Sequence, residues 1–209
     1  DRKFRLEVYT REHGRMSFVT SKKLQPLTIV NVVFDGPKSK LLNVDIAFGY
    51  KNMLYDQFKL SIGFFIAEFL RYATRNEPTN RPLYDYLRQS LEWLDVVEGS
   101  FSNFHLVLMM HLAVFLGFAP DVDDYREGMY FDLREAQFVG VKPVHNDHLS
   151  QEESAGIVTL MRMNFATMHL FKLGKDQRNR IVDHIVSYYR LHVPSIPEMM
   201  SLDVLRELF

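Results

Sequence analysis

Residues 101–121 read FSNFHLVLMMHLAVFLGFAPD, the most apolar run in the chain, broken by His105 and His111. A membrane-spanning helix needs about 20 apolar residues without polar breaks. The run from Leu106 to Phe118 is too short for that and holds His111 inside it. A metal site would need the two histidines on one face. Six positions along a helix turn the chain through about 600°, so the two rings point well apart. The stretch therefore predicts a helix buried nearly all round in a water-soluble core. Gly117 is placed to end it, and Pro120 prevents its resumption.

Working outward, the C-terminal direction stays helical. Helical segments are predicted at about 151–173 and 175–192, with a last short one at 201–209 and Ser201 as its N-cap. Between the opening stretch and the first of these, DVDDYREGMYFD superficially resembles a calcium loop through Asp121, Asp123 and Asp132. It fails the spacing test: position 6 is Arg126 rather than Gly, and position 12 is Asp132 rather than Glu. A solvated acidic loop is the better reading, with YFDLREAQFVG as a short hairpin. His145 and His148 are three apart, but no further ligand pair has zinc spacing. Glu152 and Glu153 read as the acidic first turn of a helix.

In the N-terminal direction, two more helices precede the opening stretch. Phe58, Ile62, Phe65, Phe69 and Tyr72 fall on one helical face, as do Tyr84, Leu87, Leu91 and Leu94 between about Leu83 and Val97. Before Tyr55 the period changes. In FRLEVYT, Phe4, Leu6 and Val8 alternate with Arg5, Glu7 and Tyr9, a period of two. Gly14 is placed to turn the chain and MSFVT resumes it. LTIVNVVF (27–34) is apolar on both faces, as a strand in a closed barrel would be. DGPKSK (35–40) is a turn, and LLNVDIAFGY continues as a strand. Several short strands at this spacing predict a small barrel over 1–52, followed by a helical domain over 53–209 with a hairpin near 129–140.

Composition narrows the function. The chain has 209 residues and no cysteine, which excludes a disulfide framework and a thiolate metal site and fits a reducing cytosol. No signal peptide or membrane span is readable. Net charge is −1 but unevenly spread. Residues 1–51 hold ten Lys or Arg against five Asp or Glu; the remainder holds fifteen against twenty-one. A basic module joined to an acidic one points to a polyanion partner. There is no phosphate-binding glycine loop, no nucleophile elbow and no cysteine nucleophile, so nothing argues for an enzyme. Arg2, Lys3, Arg5, Arg11, Arg15, Lys22, Lys23, Lys38 and Lys40 are the candidate phosphate contacts, with Tyr9 and Phe18 nearby. Basic turns beside aromatics are how oligonucleotide-binding barrels hold a backbone and stack bases. Solvated strand faces, with Phe18 in the core, explain the same residues equally well.

VYTREHGR (8–15), LQPLTIV (24–30), FIAEFL (65–70), LYDYLRQSLEWLD (83–95), FHLVLMMHLAVFLGFAP (104–120) and YFDLREAQF (130–138) together resemble the RecO family of bacterial DNA repair proteins. MNFATMHLF (163–171) and YYRLHVPSIPEMMSLDVLREL (188–208) look most like its Bacteroides-group members. The resemblance implies an α+β chain: an N-terminal OB-fold barrel, then an all-α helical domain. It implies a cytoplasmic recombination mediator that binds single- and double-stranded DNA and needs no cofactor. Implied partners are RecR, the acidic C-terminal tail of single-strand-binding protein and, indirectly, RecA, with annealing of complementary strands. Three departures are visible. Many members carry a four-cysteine zinc site after the LGFxP helix, and this chain has no cysteine. The family's usual first strand is not found before Asp1. Only Ser21-Lys22-Lys23 stands where a longer basic loop is usual. The competing reading is a protein-interaction scaffold of the same fold without DNA binding; a hydrolase using the Asp121–His148 region is more remote.

Overall fold

The computed structural model describes residues 2–36 and 40–208. It is an α+β protein that divides into two compact units, Asp1–Val96 with Met199–Leu202, and Val97–Glu198 with Asp203–Phe209.

The first unit opens with two antiparallel hairpins. Strand β1 (Phe4–Thr10) pairs with β2 (Gly14–Thr20), and β3 (Ile29–Asp35) pairs with β4 (Lys40–Phe48). The period-two alternation of β1 sets its faces: Phe4, Leu6 and Val8 lie opposite Thr20, Phe18 and Met16, on the side where Phe18 is buried. Phe18 packs against Phe34 of β3, ring centres 5.5 Å apart. The strand β3 is not buried on both faces as its apolar run predicts. Val33 is 54% exposed, and Leu42 and Ile46 of β4 are each 61% exposed. Register shifts beside Ile29 and Phe34 bend this second hairpin.

Two helices complete the unit. Helix α1 (Gln57–Ala73) starts at Asp56, whose carboxylate accepts the N–H groups of Phe58 and Lys59. Its buried stripe is Ile62, Phe65, Ile66, Phe69 and Ala73. Helix α2 (Arg81–Val96) buries Leu83, Leu87, Leu91 and Leu94. Where β4 hands over to α1, the chain is tied to the last turn of α2. The carboxylate of Asp95, fully buried, accepts the N–H groups of Lys51, Asn52 and Met53 at 2.9, 2.9 and 2.7 Å. Lys59, also buried, donates its ammonium to the Asp95 carbonyl at 3.0 Å.

In the second unit the opening stretch forms α3 (Phe104–Leu116), with Phe104 to Met110, Leu112 and Ala113 buried. Gly117 ends it in the left-handed conformation at φ 83°. The buried His105 has its pKa pushed down to about 3 by burial and by the Arg178 charge, so it stays neutral. Strands β5 (Tyr130–Asp132), β6 (Gln137–Val139) and β7 (His148–Leu149) form a small sheet with β5 in the middle. Helix α4 (Gln151–Arg162) begins with a capping box of Ser150 and Glu153. Helix α5 (Lys175–His192) supplies Tyr188 and Tyr189, whose hydroxyls donate to the carbonyls of Phe118 and Met109.

Two helix predictions need correction. The segment predicted as one helix over 151–173 ends at Arg162. Met163 is extended, and the side chains of Asn164 and Thr167 bond each other's backbone, closing a local turn before a 3-10 turn at Met168–Leu170. Ser201 is not the N-cap of the last helix, α6 (Met200–Leu208). It lies within the first turn, and its N–H donates to Glu68 of α1 at 2.9 Å. A carboxylate from α1 does the capping instead.

Candidate nucleic-acid interface

The β1–β2 hairpin closes through a three-residue turn, Arg11-Glu12-His13, with Gly14 at φ 64°. The Thr10 hydroxyl accepts the His13 N–H and donates to the Gly14 carbonyl, both at 3.0 Å. Glycine is needed at 14 for a second reason. A Cβ there would stand 3.0 Å from the Pro78 carbonyl carbon and the Thr79 nitrogen. The turn is thus seated on the α1–α2 connection. The Tyr9 hydroxyl donates to the Pro78 carbonyl at 3.1 Å, and Thr79 donates to the Glu12 carbonyl at 3.3 Å. Burial and the nearby Glu77 charge push the Tyr9 phenol upward, against the opposing Asn80 backbone bond, so it remains a donor at neutral pH.

Antiparallel register puts Arg5, Glu7 and Tyr9 opposite Val19, Ser17 and Arg15, on the hairpin's second face. There Glu7 gathers three guanidiniums. Arg15 Nη2 is 2.8 Å and Arg71 Nε 3.1 Å from Oε2, while Arg5 Nε is 3.3 Å from Oε1. Arg15 Nη1 also donates to the Thr74 hydroxyl at 3.3 Å. One carboxylate cannot neutralise three cations. Two guanidiniums about 6 Å apart repel by roughly 0.7 kcal/mol in bulk water and about 3 kcal/mol at a surface-like dielectric. The exposed pairs with Arg5 and Arg71 return only about 0–1 kcal/mol each. The cluster keeps a net positive charge, and an incoming anion would relieve it.

This cluster forms part of a groove of about 690 Å³ lined by the β1–β2 hairpin, residues 24–32 and the facing sides of α1 and α2. Farther along, Arg11 is held by Asp85 at 3.4 Å and Arg88 by Glu92 at 2.7 Å, so that part of the wall is closer to neutral. Tyr9, His13 and Tyr84 supply rings to the lining.

Of the residues predicted from sequence, Arg5, Arg11 and Arg15 line this groove. Lys22 lies on the second hairpin's side, donating to the Val44 carbonyl and 3.3 Å from Asp45. Arg2 stands over the Phe4 ring at 5.5 Å. Lys3, Lys23 and Lys40 are exposed. Lys38 lies outside the described residues. Phe18 is 3% exposed and belongs to the core, so it offers no stacking face. Arg71, Arg88, His13 and Tyr84 were not among the sequence candidates. The only signal for Arg71 is its position off the apolar stripe at the end of α1; nothing local says that it meets β1.

Elsewhere, the acidic loop reading needs one correction. Asp132 is buried in β5, accepting the N–H groups of Arg134 and Glu135 at 2.9 and 3.2 Å and facing His145 Nε2 at 3.1 Å. Among the described residues no group of three His, Cys, Asp or Glu is placed to hold a metal ion. No helix of the described residues is long and apolar enough to cross a membrane.

Comparison with known proteins agrees with the sequence motifs. The family model described as "Recombination protein O C terminal" matches residues 54–200. The DNA repair protein RecO of Phocaeicola vulgatus is 44% identical over 98% of this chain and 91% of its own length. That of Bacteroides fragilis is 43% identical over the same shares, and that of Porphyromonas gingivalis 27% over 97% and 90%. With its family segment matched from residue 54 to residue 200 and the Phocaeicola and Bacteroides relatives aligned over 91% of their length, the chain belongs to the RecO family of DNA repair proteins, non-enzymatic recombination mediators.

Proposed function

We propose that this recombination mediator binds DNA through its N-terminal module, residues 1–52, organised as an OB-type barrel, and that the groove beside the β1–β2 hairpin takes the backbone. The observation that carries this reading is the Glu7-centred cluster of Arg5, Arg15 and Arg71, net positive and set in a groove that Tyr9 and Tyr84 also line. Arg2, Lys3, Lys23 and Lys40 are further candidate contacts, Arg11 and Lys22 would have to be shared with Asp85 and Asp45, and Lys38 is a candidate from the sequence alone. Contacts to phosphate carry no base identity, so binding is independent of sequence and falls steeply with salt as counterions are released. A protein that holds strands by their backbones brings complements together without chemistry, which accounts for annealing. It needs no cofactor, and both single and double strands are ligands.

The helical remainder serves as the partner platform in the bacterial cytoplasm, for RecR and for the acidic, apolar-ended tail of single-strand-binding protein, with RecA acted on indirectly. Exposed Val19, Val33, Leu42 and Ile46 on the hairpins favour a second reading, a scaffold for protein contacts. Fluorescence anisotropy of a labelled mixed-sequence oligonucleotide separates the two. Tight binding at low salt that weakens steeply on adding salt, and further in the double variant Arg11→Glu/Arg15→Glu, supports the DNA reading. Absence of binding at low salt removes it and leaves the scaffold.

A further inference from the structure

We propose that Glu7 holds a two-armed receptor for one phosphodiester of a single strand, with Arg5 of β1 as one arm and Arg71 of α1 as the other. The proposal rests on the DNA-binding reading above and adds a helix residue outside the basic module. The three guanidiniums around Glu7 are not equivalent. Arg15 is engaged through both terminal nitrogens, by Glu7 and by Thr74, and its side chain is only 19% exposed. Arg5 and Arg71 are hydrogen-bonded through Nε alone, and the Arg71 guanidinium also lies over the Tyr72 ring, 5.7 Å from its centre. Arg5 Nε donates to the Ser17 hydroxyl at 3.0 Å and lies 3.3 Å from Glu7, and Arg71 Nε lies 3.1 Å from Glu7. Among the described residues their terminal Nη groups have no hydrogen-bond partner, and the side chains are 72% and 58% exposed.

An arginine anchored at Nε with a free terminal fork is positioned for the two non-bridging oxygens of a phosphate. Here two such forks, one from β1 and one from α1, converge on one carboxylate in the lining of one groove. The hairpin, the chain around residues 24–34 and both helices line the groove, with Tyr9, His13 and Tyr84 among the lining residues. A duplex keeps its bases inside and gains nothing from those rings. A single strand can lay bases on them while its backbone meets the forks. The favoured ligand is therefore single-stranded nucleic acid, which brings a flat ring with every phosphate, rather than an acidic peptide, which brings at most a ring at its apolar end.

The test uses the full chain and a fluorescein-labelled thymidine oligonucleotide, with a duplex of equal length in parallel. Arg71→Ala is expected to weaken single-strand binding threefold to tenfold and to lower the slope of log K against log salt by about 0.7, and to weaken duplex binding, which meets the fork through the backbone alone, by a smaller factor. Arg75→Ala, an exposed position that does not line the groove, is the charge control and should leave the single-strand slope unchanged. Glu7→Gln removes the opposing charge and should tighten binding at low salt at least threefold while steepening the salt dependence. Melting temperatures within about two degrees of the parent verify that each variant folds. Equal effects of Arg71→Ala and Arg75→Ala, in a protein whose binding is still lost in Arg11→Glu/Arg15→Glu, would overturn the receptor and leave the DNA reading standing. Failure of the parent protein to bind any oligonucleotide would instead remove the reading beneath it. If a labelled oligo-aspartate peptide ending in Phe loses affinity in Arg71→Ala while the oligonucleotide does not, the groove is a peptide dock and the proposal is wrong.

Discussion

Replacing Asp95 by Ala should cost the first unit about 3–5 kcal/mol. Its carboxylate is the common acceptor for three consecutive backbone N–H groups, Lys51, Asn52 and Met53, in a place where Met53 and Asp95 are both buried. A hydrogen bond to a charged group contributes about 1.5–3 kcal/mol net, and an abandoned buried donor costs about 1–3 kcal/mol. The three bonds share one carboxylate, and the exposed ends of the turn at Lys51 and Asn52 can be rehydrated, so the sum lies well below three independent bonds. The carbonyl of Asp95 survives the change and keeps its bonds from Asn52 and Lys59. Asp95→Asn retains one acceptor oxygen and should cost about half as much. At about 2–4 °C per kcal/mol for a chain of this size, the alanine variant should melt about 10 °C lower by calorimetry, in the transition that carries the first unit. Hydrogen exchange at the amides of residues 51–53 should accelerate in step. The sign with pH follows from the same contacts. Burial works to raise the Asp95 pKa, but the N–H groups of Lys51, Met53 and Asn52 and the Lys59 charge outweigh it and hold it below the usual carboxylate value. Its contribution is full above the unfolded value, about pH 4, and is lost as pH falls through the lower folded value. Asp95→Asn should flatten that acid limb. A melting temperature within two degrees of the parent for Asp95→Ala, with unchanged exchange at 51–53, would refute this account of how β4 is tied to α1 and α2.

Two further changes test other joints. Gly14→Ala forces a left-handed residue with a Cβ 3.0 Å from the 78–79 backbone, and should destabilise by about 2 kcal/mol or more, read as a lower melting temperature. Ser150→Ala removes the N-cap of α4 and should cost about 1 kcal/mol in denaturant titration. Burial alone would raise the Glu153 pKa, but its bonds from Ser150 and His184 lower it, so the loss in Ser150→Ala should be largest at neutral pH and shrink as pH falls through the folded Glu153 value.

Local pattern was enough to find most elements. The run at 104–116, with no preferred apolar face and Gly117 after it, could only be a buried helix, and α1 and α2 declare their inner faces through Phe65, Phe69, Leu87 and Leu91. The alternation in FRLEVYT fixed which side of β1 is polar. What the sequence hid depends on partners far along the chain. Glu68 caps α6 from about 130 residues away, so Ser201 looked like the cap it is not. The end of α4 at Arg162 turns on mutual side-chain bonds of Asn164 and Thr167, which propensity does not register. Arg5 and Arg15 were visible as basic residues beside a turn, but Glu7 looked like a lone acid and Arg71 like a solvated helix charge. Their convergence is a tertiary event, set by where the hairpin turn sits on Pro78 and Thr79.

The most direct test of the central claim is to map where a bound strand touches the chain. The full protein would be photo-crosslinked to a single-stranded oligonucleotide carrying 5-iodouracil, and the adducts located by peptide mass spectrometry. The account predicts adducts on peptides holding Tyr9, His13 and Tyr84, suppressed by salt and by Arg11→Glu/Arg15→Glu. Adducts confined to residues 97–198, or unaffected by salt, would contradict it and move the DNA site to the helical unit.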